Sequence, residues 1–189
     1  MVRAQDGKLY GFNTDAAGIV RPLERRLNTL EGARILVIGA GGAARAAVFG
    51  LKERGSEVYI LNRSAAPAKK LAHQAHARIV KRPDLKKLAF DVIINATPVG
   101  MGNSRESPLQ EQEINARYVF DMIYDPPETR FLKLAKERGA QIIPGIEMFV
   151  HQAARQFEIW TGKPAPWDEM LRVVLLALQE RANRAAAGK

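Results

Sequence analysis

The chain has 189 residues, 47% of them hydrophobic and 26% charged, which fits one sizeable globular domain with or without an appendage. No apolar run approaches the about 18 residues of a membrane span, the start MVRAQDGKLYG lacks the apolar core of a signal peptide, and without cysteine there is neither a disulfide framework nor a thiolate zinc site. The net charge of +9 favours anionic ligands, but the basic residues are dispersed and no nucleic-acid motif accompanies them, so neither nucleic acid nor membrane is expected as a partner.

In chain order, the first feature is the stretch GFNTDAAG at 11–18. It predicts a helix over 14–29, with Asn13 or Thr14 as its cap, Asp15 in its first turn and Pro22 kinking or restarting it. RILVIG at 34–39 is a continuous apolar run, as a strand buried on both faces requires. A helix to about Arg54 follows, then a strand at 57–62, a helix with Pro67 in its first turn, and a short strand in ARIV. DVIINAT at 91–97 and YVFDMIY at 118–124 read as two more strands. ETRFLKLAKERGA reads as a helix stopped at Gly139, and QII as a last strand.

Strands alternating with helices predict an α/β fold, a doubly wound parallel sheet of Rossmann type over residues 32–145. Helices at 146–161 and 167–186 have no strand to follow them, so they pack either back over the sheet or on another domain, and the Ala/Arg-rich end at 181–189 reads as fraying. Histidines at 73, 76 and 151 lack metal-ligand spacing with carboxylates, so no metal is expected.

GAGGAAR at 39–45 lies between a strand and a helix and fits G-x-G-x-x-A. Gly39 would make the tight turn, Gly41 would let a diphosphate approach the backbone, and Ala44 would pack the helix closely. The free amides and dipole of the helix start would hold the diphosphate. An NAD-binding chain of this type has an acid about 20 residues further on, for the ribose hydroxyls. Here Asn62-Arg63-Ser64 stand there, and Arg63 can pair with a 2′-phosphate, with Lys69 or Lys70 able to help. The expected cofactor is therefore NADP.

Five segments occur in order: GFNTDAAG, GAGGAARA, NRS, INATPVGM, and YDPPETRFLKLAKERGA followed by PGIEMFVHQA. The set resembles the shikimate dehydrogenases, NADP-dependent enzymes that reduce 3-dehydroshikimate to shikimate in aromatic amino-acid biosynthesis, and the resemblance covers essentially all 189 residues. It implies that Gly39, Ala40, Gly41, Gly42 and Ala43 hold the diphosphate, Asn62, Arg63 and Ser64 the ribose and its phosphate, and Thr97, Met122 and Gly145 the nicotinamide side. It implies substrate contacts at Asp15, Tyr124 and Gln152, with Asn13 and Thr14 beside them. Read singly, Asp15 is also an ordinary first-turn acid, Tyr124 a strand-end aromatic, Gln152 a polar residue on a half-exposed helix and Thr97-Pro98 a strand-ending turn.

Hydride transfer at a ring carbon also moves a proton at its hydroxyl. In the family a Lys–Asp pair handles that proton, and Asp15 matches the aspartate. The lysine belongs to a motif resembling N-V-T-x-P-x-K in an N-terminal substrate domain, which no part of these 189 residues matches. Residues 1–31 then read as a remnant of that domain with a linker helix, 32–145 as the NADP domain, and 146–189 as helices made to pack on the substrate domain, supplied in cis or in trans. Phe149, Phe157, Trp160, Leu171, Val174 and Leu178, together with the helix at 14–29, would form the unpartnered apolar faces, with homodimerisation or repositioning as the consequence. Pro67 replaces the second base of the family's N-R-T-x-x-R segment, which leaves the choice between NADP and NAD to Arg63 and a lysine. The expected compartment is the cytoplasm. A non-catalytic NADP-binding module, a quinate or folate-type dehydrogenase, and one part of a dehydroquinate dehydratase–shikimate dehydrogenase fusion are the alternative readings.

Overall fold

The computed structural model describes residues 1–3, 6–102 and 105–187. Two short strands, β1 (Val2–Arg3) and β2 (Leu9–Tyr10), pair antiparallel ahead of the helix α1 (Asp15–Leu27). There follow β3 (Arg34–Ile38), α2 (Gly42–Lys52), β4 (Glu57–Leu61), α3 (Ala65–Ala75), β5 (Arg78–Ile79), β6 (Phe90–Asn95) and β7 (Ala116–Asp121). The chain ends in α4 (Arg130–Glu137), β8 (Gln141–Ile143), α5 (Gly145–Thr161) and α6 (Trp167–Ala187). Strands β3 to β8 form one parallel sheet in the order β5-β4-β3-β6-β7-β8. This is the strand order of a Rossmann fold.

Each central strand is apolar on both sides because each side has a cover. Ile35, Val37, Val58, Ile60, Val92 and Ile94 face the layer of α1, α2 and α3. Leu36, Ile38, Leu61, Ile93 and Val119 face α4 and two 3-10 turns, 82–87 and 111–113, which take the place of crossover helices. The stop expected after α4 is a Schellman turn: Gly139 has φ +77°, its N–H reaches the Lys136 carbonyl at 2.9 Å, and the Ala140 N–H reaches the Ala135 carbonyl at 2.9 Å.

Two expectations change. Pro22, which has no N–H to donate, does not restart α1: the helix runs through it from Asp15 to Leu27. α1 also presents no free apolar face, because Ile19, Val20 and Leu23 are buried within this chain. The helix read over 167–186 is α6, Trp167–Ala187, and residues 188–189 lie outside the described part.

Small residues set how closely the covering helices cross. A Cβ on Gly18 of α1 would stand 2.8 Å from the Met148 carbonyl oxygen of α5, and one on Gly50 of α2 would stand 3.2 Å from the Ala16 and Val20 side chains of α1. α6 is held more loosely. Leu171, Val174 and Leu178 are half-buried, while Val173, Leu175 and Leu176 are exposed. Its first residue, Trp167, lies 5.6 Å from the His151 ring of α5, with the Arg25 guanidinium 5.4 Å from the indole.

His151 is buried and its Nε2 has no hydrogen-bond partner among the described residues. Burial lowers its pKa from the ordinary 6.5, and the charges of Arg25, Arg21 and Arg26 act in the same direction against Glu147. The folded chain therefore holds the imidazole's proton less tightly than the unfolded chain does, so this group's contribution to stability is full above the ordinary histidine pKa and is lost as pH falls below it. Urea unfolding at about pH 5 should give a lower midpoint than at about pH 7.5, and His151→Gln should remove part of that difference. An independent prediction concerns the α1–α5 crossing. Gly18→Val is expected to cost roughly 1–3 kcal/mol in thermal or urea unfolding.

Candidate functional site

The corner between β3 and α2 is built by one glycine. Gly39 has φ +118°, and a Cβ there would lie 2.9 Å from the Ala96 carbonyl oxygen and 3.2 Å from Thr97 Cγ2. The Gly39 N–H is anchored on the Leu61 carbonyl at 2.8 Å, which ties the corner to β4. Gly41 and Gly42 are different, since a Cβ on either would meet, beyond its chain neighbours and its own helix backbone, no atom of the described residues within 4 Å. Their glycine character serves an open space in front of α2. No side chain caps α2, and the amides of Gly42, Ala43 and Ala44 find no acceptor among the described residues. Ala44 is fully buried, as close helix packing requires.

Beside this corner, at the carboxyl ends of β3, β4 and β6, lies a cavity of about 840 Å³. Ile38, Leu61, Ile79, Val80, Pro98 and Val99 give it apolar walls. Among the described residues its polar lining contains Asn62, Arg63, Lys69, Lys81, Arg82, Thr97 and Ser107, and no carboxylate. Asn62 Nδ2 donates to the Ser64 carbonyl at 2.8 Å and shapes the start of α3. Of the two lysines expected to assist Arg63, Lys69 lines the cavity and Lys70 does not. Lys81 and Arg82, absent from the sequence reading, do line it.

A buried polar network joins the ends of β6 and β7. Asn95 and Asp121 are fully buried. Asn95 Nδ2 donates to Asp121 Oδ1 at 3.0 Å and to the Val99 carbonyl at 3.2 Å, while its Oδ1 accepts from the Thr97 hydroxyl at 2.7 Å and the Thr97 N–H at 3.1 Å. Asp121 also accepts from the Thr129 hydroxyl at 2.6 Å and the Ile123 N–H at 3.1 Å. Burial pushes the Asp121 carboxyl up from its ordinary range, and these three hydrogen bonds oppose the shift. The network ends β7 at Asp121, so Met122 and Tyr124 stand in the loop beyond the strand. Met122 and Gly145 are brought together: a Cβ on Gly145 would lie 2.4 Å from the Ile123 carbonyl oxygen and 2.6 Å from that of Met122.

The second group of residues is assembled along α5. Gln152 Nε2 donates to Asp15 Oδ1, and Gln156, one turn on, donates to Thr14 Oγ1 at 3.1 Å. Asn13 is the residue that stabilises the start of α1, its Oδ1 accepting from the Asp15 N–H at 2.9 Å, while Thr14 makes no capping bond. Tyr124, 42% exposed, rests its ring 5.0 Å from Phe149. Phe149 stands three residues before Gln152 and so next to it on the helix surface. Thr14, Gln156, Ile159, Phe12, Met1 and the 64%-exposed Trp160 line a smaller hollow of about 160 Å³. Gln156 was missed in the sequence, although its spacing from Gln152 on one helix face was a usable sign.

An open parallel sheet with amides free at the first glycine corner, beside the point where strand order reverses, defines a Rossmann protein of the dinucleotide-binding class. The family profile for shikimate / quinate 5-dehydrogenases matches residues 22–122, and the profile for the shikimate 5′-dehydrogenase C-terminal domain matches residues 145–175. An NADP(+) shikimate dehydrogenase of Nitrosopumilus maritimus is 39% identical over 183 residues, covering 92% of this chain and 67% of the relative. One from Methanocella arvoryzae is 42% identical over 173 residues, covering 87% of this chain and 64% of the relative. The crystal structure of shikimate 5-dehydrogenase from Thermus thermophilus, in complex with NADP(H) and shikimate, superposes with a TM-score of 0.80 at 36% identity, covering 88% of this chain and 63% of that one. The chain belongs to the shikimate dehydrogenase family, and it spans about two thirds of the length of the curated relatives it matches.

The Asn95–Asp121–Thr129 network yields a prediction that needs no ligand. Asp121→Asn puts a donating amide where an oxygen accepts, so it is expected to lower the unfolding free energy by about 1–3 kcal/mol in a urea titration. A change within about 0.5 kcal/mol, the usual range of a surface substitution, would contradict the role given to the carboxylate.

Proposed function

We propose that the chain carries the cofactor half of an NADP-dependent shikimate dehydrogenase, acting on the 3-dehydroshikimate and shikimate pair. The observation that supports this reading most is the glycine corner, its amides without an acceptor among the described residues, opening beside a cavity whose charged lining among those residues is cationic. The corner fits the group: open space before Gly41 and Gly42 admits a diphosphate, and the cavity's apolar walls admit a flat ring. On this reading Gly39 to Ala43 hold the diphosphate, Asn62, Arg63 and Ser64 the phosphorylated ribose, and Thr97, Met122 and Gly145 border the nicotinamide end. When bound, the nicotinamide supplies the two-electron redox chemistry.

Asp15 is the residue proposed to act on the substrate hydroxyl, by orienting the lysine of the pair and stabilising its ammonium form. Its hydrogen bond from Gln152 fixes the carboxylate and leaves the other oxygen for the lysine. Gln152, Tyr124, Asn13 and Thr14 are proposed as further contacts for a polyhydroxylated ring, at the face of α5 where Gln152 and Gln156 meet α1. The proposed division is a nucleotide-binding unit over 32–145, with 1–31 and 146–189 serving the substrate side. The exposed Phe149, Trp160, Leu175 and Leu176 support a covering partner, either the substrate domain or a second copy. A cytoplasmic location goes with this reading, since a cysteine-free chain suits a reducing compartment.

The test is a chimera in which the N-terminal third of the Nitrosopumilus relative precedes Met1. It should oxidise shikimate with NADP⁺, while residues 1–189 alone bind NADPH and turn over little. Asp15→Asn in the chimera should cost about 10²–10⁴-fold in kcat with NADPH affinity kept. A folded chimera that binds NADPH yet oxidises no shikimate would overturn the substrate assignment and leave the cofactor assignment standing.

A further inference from the structure

We propose that Lys81 is a further specificity-determining residue, a second cation that works with Arg63 to select the phosphorylated nicotinamide nucleotide; this rests on the reading of the cavity as the NADP site. The parallel ladder supplies the geometry. β4 and β5 pair Ile60 with Ile79, and the Val80 N–H donates to the Ile60 carbonyl at 3.0 Å. Continued in the same register, Lys81 stands beside Asn62, one residue from Arg63, on chains about 4.8 Å apart. Both residues line the cavity.

The two cations at 81 and 82 differ in what they are free to do. Arg82 forms a two-pronged bridge to the buried Glu113, at 2.7 and 2.6 Å, and Glu113 Oε2 also accepts from the Gln110 N–H at 2.7 Å. Burial raises the Glu113 carboxyl, but the Arg82 hydrogen bond and charge and the Gln110 amide outweigh it and hold the carboxyl below its usual range. Arg82 is thereby spent on docking the 111–113 turn against the 82–87 turn. The Lys81 carbonyl accepts from the Asp84 N–H at 3.0 Å, but the side chains of Lys81 and Arg63 have no hydrogen bond or ion pair among the described residues. The Lys81 ammonium is a mobile point charge suited to a phosphate. The ribose phosphate of NADP is the group that distinguishes it from NAD, so a cation here separates the two nucleotides and adds little to binding of their common parts.

Calorimetry with NADPH and NADH on the 189-residue chain tests this, using Lys81→Ala, Lys81→Arg and, as a control that does not line the cavity, Lys70→Ala. Lys81→Ala should weaken NADPH about tenfold and leave NADH within about twofold, so that the preference for NADPH falls by the same factor. Lys81→Arg should restore most of it. Removing the charge should also lessen the salt dependence of NADPH binding. An unchanged NADPH-to-NADH ratio in Lys81→Ala overturns the assignment, as does an equal loss in Lys70→Ala, which would show a general field of the basic surface. A wild-type chain that binds neither nucleotide, or both alike, overturns the NADP reading itself and this inference with it.

Discussion

The site depends on how closely two backbones approach at Gly39. The chain leaving β3 turns there with φ +118° against the Ala96 carbonyl, where no side chain fits, and that turn starts α2 with its first amides pointing into open space. Those amides are costly to leave unsatisfied and can be satisfied by water or by an anion. The same turn sets Thr97 against the corner and Asn62 beside it, so the walls of the neighbouring cavity follow from one backbone constraint.

The other half of the site depends on the crossing of α1 and α5. Gly18 lets the two helices come near enough for Gln152 and Gln156 to reach Asp15 and Thr14. Gly145 does the same at the start of α5, seating the helix on the Met122 and Ile123 carbonyls. The Asn95–Asp121–Thr129 network then holds the loops after β6 and β7 that lie between the two halves. Glycine and buried polar groups, more than the apolar core, decide where the candidate residues meet.

Much of this was legible in the sequence because it is local. Continuous apolar runs such as ILVI mark strands with cover on both faces, Gly139 marks a helix end, and GAGG between a strand and a helix marks the corner. Features set by pairing across the sheet were not legible. Lys81 gains its meaning only from the register of β5 on β4, and Arg82 only from Glu113, 31 residues away. Asp121 read as an ordinary strand residue because nothing nearby shows that Asn95 and Thr129 converge on it. β1 and β2, two residues each, fall below any periodic signal, and the fate of the α1 apolar face was set by α2 and α5.

The most direct measurement is an amide ¹⁵N–¹H spectrum of the chain titrated with NADP⁺. If the β3–α2 corner grips the diphosphate, the largest shifts belong to the N–H groups of Gly41, Gly42 and Ala43. If the nucleotide binds while those three resonances stay in place, the corner is not where it is held, and the cofactor site assigned here is wrong.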